Sequence, residues 1–238
     1  MFVALEGIDG AGKSTVAEGL CARFQSAGQP DVSLWRKSDH AIGDEWLNRR
    51  MAALRDLIWC DADSEPVLDV LGTHHYLYLH AAWFAALQAR LVRPLREFPT
   101  TVAVADGWYY RTVAKAAIRG AIPISWGLSL FEHAGRPDVV VFLDVPPEVA
   151  WARRKGAFKP SEMGRWDGRT GEPYESFCTY QAEVRDLLAR LAVEFSWVVV
   201  KPDPGAGKEA VLSEVYQKVN SRMGELERQR GANIPVGG

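Results

Sequence analysis

The chain has 238 residues, 47% of them hydrophobic and 24% charged, which is the balance of a globular protein with room for one α/β domain. A net charge of −2 excludes the strongly basic footprint of a nucleic-acid surface, so any anion binding must come from local clusters. No apolar run approaches the length of a membrane span, and the first strand signal begins at residue 2. The expectation is therefore a cytoplasmic protein with no signal peptide, no membrane partner and no nucleic-acid partner. Cys21, Cys60 and Cys178 form no C-x-x-C pair, which suits a reducing compartment.

In chain order, Phe2-Val3-Ala4-Leu5 reads as a buried strand. Residues 7–14, Gly-Ile-Asp-Gly-Ala-Gly-Lys-Ser, then fill the pattern G-x-x-x-x-G-K-[ST]. Thr15, Val16, Ala17, Leu20, Cys21 and Phe24 follow at helical spacing. Strand, glycine loop and helix form the context a phosphate-binding loop needs. Gly7, Gly10 and Gly12 let backbone N–H groups turn toward phosphate oxygens, with Asp9, Ala11 and Thr15 completing the loop and helix start. The helix N-terminus adds unpaired N–H groups. Lys13 is placed to reach the β- and γ-phosphates, and Ser14 to offer its hydroxyl to Mg²⁺. The expected ligand is a nucleoside triphosphate.

Further apolar runs at Val32–Trp35, Val102–Ala105, Val139–Leu143 and Trp197–Val200 bring the strand count to five. Helical stretches near 13–27, 43–59, 66–92, 109–120, 146–155, 173–193 and 206–222 lie between and after them. Strands apolar on both faces and separated by helices predict a parallel sheet covered on both sides, an α/β fold in three layers. The strand ends deliver Glu6-Gly7, Arg36-Lys37, Asp106-Gly107 and Asp144-Val145, where ligands of open α/β sheets gather. Residues 1–222 are expected to form one domain, and 223–238 a flexible tail. The Gly205–Lys208 cluster lacks the rest of the loop pattern and reads as a loop entering the last helix. The histidines at 74, 75 and 80 lack a supporting Cys or carboxylate constellation for a metal.

Between Arg153 and Arg165 five cations fall within 13 residues, with glycines at 156 and 164, and Arg169 follows shortly. Over the phosphate loop this segment, about 153–172, reads as a mobile basic lid. Phosphoryl transfer needs little covalent help beyond positioning and positive charge around the transferring group.

Residues 2–15 resemble the N-terminus of the thymidylate kinase family. The resemblance continues in Arg93-Pro94, in the run from Arg136-Pro137-Asp138 through Leu143-Asp144-Val145-Pro146-Pro147-Glu148, and in Phe177–Arg185. It covers residues 1 to about 215. It implies the P-loop NTPase fold with a five-stranded parallel sheet, a mobile lid, Mg²⁺-ATP as donor, a small nucleotide-like phosphate acceptor and a homodimer. The phosphate loop carries no Arg, so the resemblance assigns the catalytic arginine to Arg153, Arg154 or Arg165. Asp9 either faces the acceptor's sugar hydroxyl, as in the family, or stabilises the loop as an Asx turn, and the two roles are compatible. Glu6 either orients waters of Mg²⁺ or pairs with a neighbouring cation.

The acceptor side departs from the family. Where thymidylate kinases carry Asp-Arg-aromatic, this chain reads Asp106-Gly107-Trp108. Asp106 can still hold Mg²⁺ through water or accept a proton. Losing the arginine's charge-assisted contact costs about 1.5–3 kcal/mol and calls for a substitute. Arg111 and Lys115 are the candidates. Counted back from Arg93-Pro94, the family's base-stacking Phe falls on His80 and its base-reading Arg on Phe84. Phe84 cannot donate to a thymine carbonyl, so while the resemblance makes thymidylate the default acceptor, the alternatives are a repurposed kinase acting on another metabolite, or a nucleotide-binding pseudo-kinase without turnover. Arg36 completes the candidate acceptor residues.

Overall fold

The computed structural model describes residues 1–59, 67–98, 100–120 and 122–232. Its strands are β1 Phe2–Glu6, β2 Asp31–Arg36, β3 Thr101–Asp106, β4 Val139–Leu143 and β5 Val198–Val200. They form one parallel sheet in the order β2-β3-β1-β4-β5. Every residue of β1 and β4 is buried, as is β3 up to its last residue. Runs of Val, Ala, Phe and Leu without polar alternation need cover on both faces, and helices supply it. Val3 lies opposite both Val104 and Val139, and Arg36 opposite Asp106. That register brings the carboxyl ends of β1, β2 and β3 out along one edge of the sheet.

The helices are α1 Lys13–Ser26, α2 Glu45–Ile58, α3 Val67–Leu87, α4 Arg93–Leu95, α5 Tyr110–Gly120, α6 Ile124–Ser129, α7 Pro147–Arg154, α8 Pro173–Glu194 and α9 Lys208–Ala232. The Asp44 side chain caps α2 by accepting from Leu47 N at 2.9 Å. Proline opens α7 and α8, where its missing N–H would be unpaired anyway. The long helix expected over 66–92 is interrupted. Gly72 leaves helical geometry with φ +78°, and the C-terminal end passes through a wide π turn, Gln88–Val92, into α4. Six-residue α6 does not show in the sequence pattern, because it is too short to display a helical period.

The last helix runs well past the boundary expected at 222. Val215, Val219 and Met223 are buried and Leu226 packs against the same core, so the apolar stripe continues at helical spacing beneath a charged face. Arg230 then pairs with Asp138 at 2.6 Å. Of the expected tail, residues 233–238 lie outside the described residues, as does Cys60. Among the described residues no helix is long and apolar enough to cross a membrane.

Candidate active site

The loop between β1 and α1 follows from its glycines. Gly10 and Gly12 have φ of +81° and +94°, a region that side chains resist. A Cβ on Gly10 would also meet the Phe158 ring at 3.0 Å, so the loop lies directly against the lid. Lys13 folds back over the loop, where Nζ donates to Gly7 O at 3.0 Å and to Ile8 O at 2.7 Å. Burial, then the charge of Arg111, pushes its ammonium down to about 8.

Asp9 is the hub of the site. Its Oδ1 accepts from Arg111 Nη1, and its Oδ2 accepts from Lys115 Nζ at 2.8 Å and Gln181 Nε2 at 3.1 Å. Its backbone N–H donates to Gln181 Oε1 at 3.1 Å. Burial opposes ionisation here, but Arg111, then Lys115 and Lys13, hold the carboxyl well below its ordinary range. The carboxylate thus brings two cations of α5 to the phosphate loop. Glu6, completely buried, accepts from Trp108 N at 3.0 Å through Oε1, while Oε2 has no partner among the described residues. Burial raises its carboxyl to about 7 against the pull of Arg111 and Lys13. Lys37, half-buried at the end of β2, is pushed down to about 7 by desolvation and then by Arg111.

Asp9, Lys13, Lys37 and Arg111 share one cleft of about 900 Å³ at the carboxyl edge of the sheet. The phosphate loop from Asp9 through Thr15, Arg36, Lys37, Asp106, Arg111, Arg153, Arg154 and Glu162 line it. Ser14 and Asp106 face this common space, and Asp106 pairs with no cation among the described residues. A hydroxyl and a free carboxylate are hard oxygen donors, so the pair fits a Mg²⁺ that keeps several waters.

The three candidate catalytic arginines divide into two kinds. Arg153 and Arg154 line the cleft, and Arg154 pairs with Glu162 at 3.1 Å and stacks its guanidinium 4.3 Å above the Phe158 ring. Arg165 instead donates to the carbonyls of Arg169 and Gly171 at 3.1 and 2.6 Å, within the lid backbone, and does not line the cleft.

The candidate acceptor residues are also spread over different surroundings. Lys115 and Arg111 meet at Asp9, as above. Arg36 lines the cleft but is held at 2.9 Å by Glu18 of α1. His80 is buried in α3, with Nδ1 3.0 Å from Tyr76 O and its ring against Trp59 and Tyr76, and burial drives its imidazole down to about 3. Phe84 is fully buried against Trp108, Tyr109 and Phe131. Trp108 packs on Phe2 and donates through Nε1 to Gly135 O at 2.9 Å. None of these three rings lines the cleft.

Sequence reasoning overlooked Gln181, Glu162, Lys37 as a site residue, and the stretch at Ala206, Lys208 and Glu209 along the cleft wall. The last group follows β5, so its position after a strand's carboxyl end was the available signal. Gln181 offered only an isolated polar residue on the apolar face of α8.

No family model matches the chain. It is 29% identical to a "Probable thymidylate kinase" of Thermococcus kodakarensis over 94% of this chain and all of that protein. It is also 29% identical to the protein of that name from Thermococcus gammatolerans, over 82% of this chain and 90% of the relative. "Probable thymidylate kinase 1" of Saccharolobus solfataricus is 23% identical over 93% and 98% of the two chains. The matches span most of both chains, so the likeness is to whole proteins and not merely to a phosphate loop shared by many folds.

Proposed function

We propose that this relative of the thymidylate kinases transfers the γ-phosphoryl group of Mg²⁺-ATP to a nucleotide-like acceptor, with thymidylate the first candidate. The observation that carries this reading is the meeting of Lys13, Arg111, Asp106 and the lid residues Arg153 and Arg154 with the phosphate loop around a single cleft. Phosphoryl transfer asks for that kind of environment: backbone donors for the phosphates, and fixed cations where negative charge spreads in the transition state.

In this reading the loop N–H groups and Lys13 hold the donor phosphates, Lys13 exchanging its two loop carbonyls for phosphate oxygens. Ser14 and Asp106 would hold the metal, whose role when bound is to neutralise charge on the β- and γ-phosphates. Arg111 stands where it can replace the arginine missing from Asp106-Gly107-Trp108. Arg153 and Arg154 supply positive charge from the lid side. By the same likeness the protein would act as a cytoplasmic homodimer.

A second reading, a repurposed kinase with a different acceptor, is favoured by one observation. Phe84, where the family resemblance expects a base-reading arginine, is sealed in an aromatic core. ADP release with Mg²⁺-ATP, measured against thymidylate, deoxyuridylate, thymidine and other nucleotides and nucleosides, separates the two. Selective turnover of thymidylate supports the first reading. Turnover confined to another acceptor supports the second, and no ADP release with any of them would count against both.

A further inference from the structure

Helix α5 carries cations at Arg111, Lys115 and Arg119, spaced so that all three stand on one face. They divide between two partners. Arg111 and Lys115 meet Asp9 of the phosphate loop. Lys115 also approaches Ser161 O of the lid at 3.4 Å, and Arg119 pairs with Asp167 of the lid. The outermost pair is shielded from water, its side chains 14% and 1% exposed. Arg119 lies outside the cleft, so its charge does not act on bound phosphate directly.

Around that pair the lid is seated closely on α8. Gly164 lies so near the Tyr180 ring that a Cβ there would come within 2.8 Å of it. Ser176 Oγ donates to Met163 O at 2.9 Å, and Gln181 Nε2 donates to Glu162 O at 2.6 Å. Burial, then the Asp167 carboxylate, raises the Tyr180 phenol, which puts this carboxylate beside the α8 surface that receives the lid. The same Gln181 bonds Asp9. Phosphate loop, lid, α5 and α8 are thus tied into one assembly, with the Arg119–Asp167 pair as its far end.

We propose that Arg119, acting through Asp167, is a positioning residue for phosphoryl transfer: it holds the lid against α5 so that Glu162 and, through their ion pair, Arg154 at the end of α7 stay over the cleft. The inference rests on the kinase reading for its catalytic consequence, but the latch itself does not. Removing Arg119 leaves Asp167 buried without its cation, and the lid must shift to hydrate it. Catalytic arginines tolerate little displacement, because an error of about 1 Å can cost about a hundredfold in rate.

The test compares wild type with Arg119→Gln, Arg119→Lys and Asp167→Asn. Hydrogen–deuterium exchange is followed over 160–171 and over the phosphate loop, alongside steady-state kinetics. Arg119→Gln is expected to speed exchange in the lid while leaving β1 and α1 at wild-type rates. It should lower kcat by about tenfold to a hundredfold with KM for ATP little changed, and Arg119→Lys should recover part of both. Asp167→Asn leaves no buried anion and provides a second folded variant with the same lid signature. Wild-type lid exchange in a folded Arg119→Gln protein would overturn the latch. Faster exchange throughout the sheet, without a split between kcat and KM, would overturn the positioning role in favour of a purely structural one. If wild type transfers phosphate to no acceptor, the kinase reading fails on its own, and lid exchange still decides whether the latch exists.

Discussion

Arg111 on α5 and Asp9 in the loop between β1 and α1 form a buried ion pair that ties that helix to the loop. Removing one partner of such a pair strands a charge, at a cost of about 3–5 kcal/mol. In Arg111→Met, Lys115 and Gln181 still reach Asp9, so we expect a loss near the lower end, about 3 kcal/mol at neutral pH. The pH dependence has a definite sign. The folded Asp9 carboxyl is held below its ordinary 3.8, so its stabilisation is complete above that value and is lost as pH falls toward the folded value. Arg111→Met raises the folded value, and acid unfolding should begin at higher pH than in wild type. Denaturant melts from neutral to strongly acid pH check this, and superimposable acid profiles would refute it.

Glu6 gives the opposite trend. Its folded carboxyl is raised from 4.5 to about 7, chiefly by burial. Stability is therefore fully present below 4.5, declines as pH rises toward 7, and levels off above it. Glu6→Gln removes the titration but keeps an oxygen to accept from Trp108 N. Relative to wild type the variant should gain stability across that window, with a slope of at most about 1.4 kcal/mol per pH unit for the single proton involved. A difference that stays constant from pH 4.5 to 7 would show that Glu6 does not titrate there.

Lys13→Ala removes the ammonium that bonds the Gly7 and Ile8 carbonyls of the phosphate loop. By analogy with losing one preorganised donor to transition-state charge, kcat should fall by about a hundredfold to a thousandfold. Circular dichroism should remain that of the folded protein. Undiminished kcat in this variant would rule out the phosphoryl-transfer mechanism proposed above.

The lid arginines should separate in kinetics as they do in space. Arg153→Ala and Arg154→Ala, on the cleft, are expected to lower kcat more than ATP affinity in at least one case. Arg165→Ala loses two bonds to lid carbonyls and should act mainly on lid order, seen as faster hydrogen exchange in 165–172. Equal kinetic loss in all three would contradict this division.

What could be read in the sequence follows a physical boundary. The five strands and their parallel pairing were legible because runs such as Val139–Leu143 are apolar on both faces. The turn between β1 and α1 was legible because Gly10 and Gly12 must adopt positive φ at fixed spacing before Lys13. The surroundings of His80 and Phe84 were not legible. Both are aromatic residues on a helix, and only tertiary packing against Trp59, Trp108 and Phe131 decides whether they face a ligand or the core. The roles of Gln181 and Arg119 were equally hidden, since their partners Asp9 and Asp167 are remote in sequence. The end of α9 was misjudged because charges at Glu225, Glu227 and Arg228 masked the apolar stripe through Met223 and Leu226.

Gly107 tests the departure from the Asp-Arg-aromatic pattern that the resemblance leads one to expect. It has φ +95°, and a Cβ there would find only Leu5 O, at 3.9 Å. Space therefore admits a side chain, but the backbone resists one, at about 1–2 kcal/mol. Gly107→Arg would place beside Asp106 the charge that the thymidylate kinase resemblance leads one to expect and impose that strain at once, so Gly107→Ala is the necessary control. Both should lose similar stability in thermal melts. If the missing charge limits thymidylate use, Gly107→Arg should turn over thymidylate faster than Gly107→Ala, by up to about tenfold to a hundredfold for one charge-assisted contact. Equal thymidylate turnover in the two variants would mean that Arg111 already supplies that contact, or that the acceptor is not thymidylate. The acceptor panel on wild type distinguishes these two outcomes.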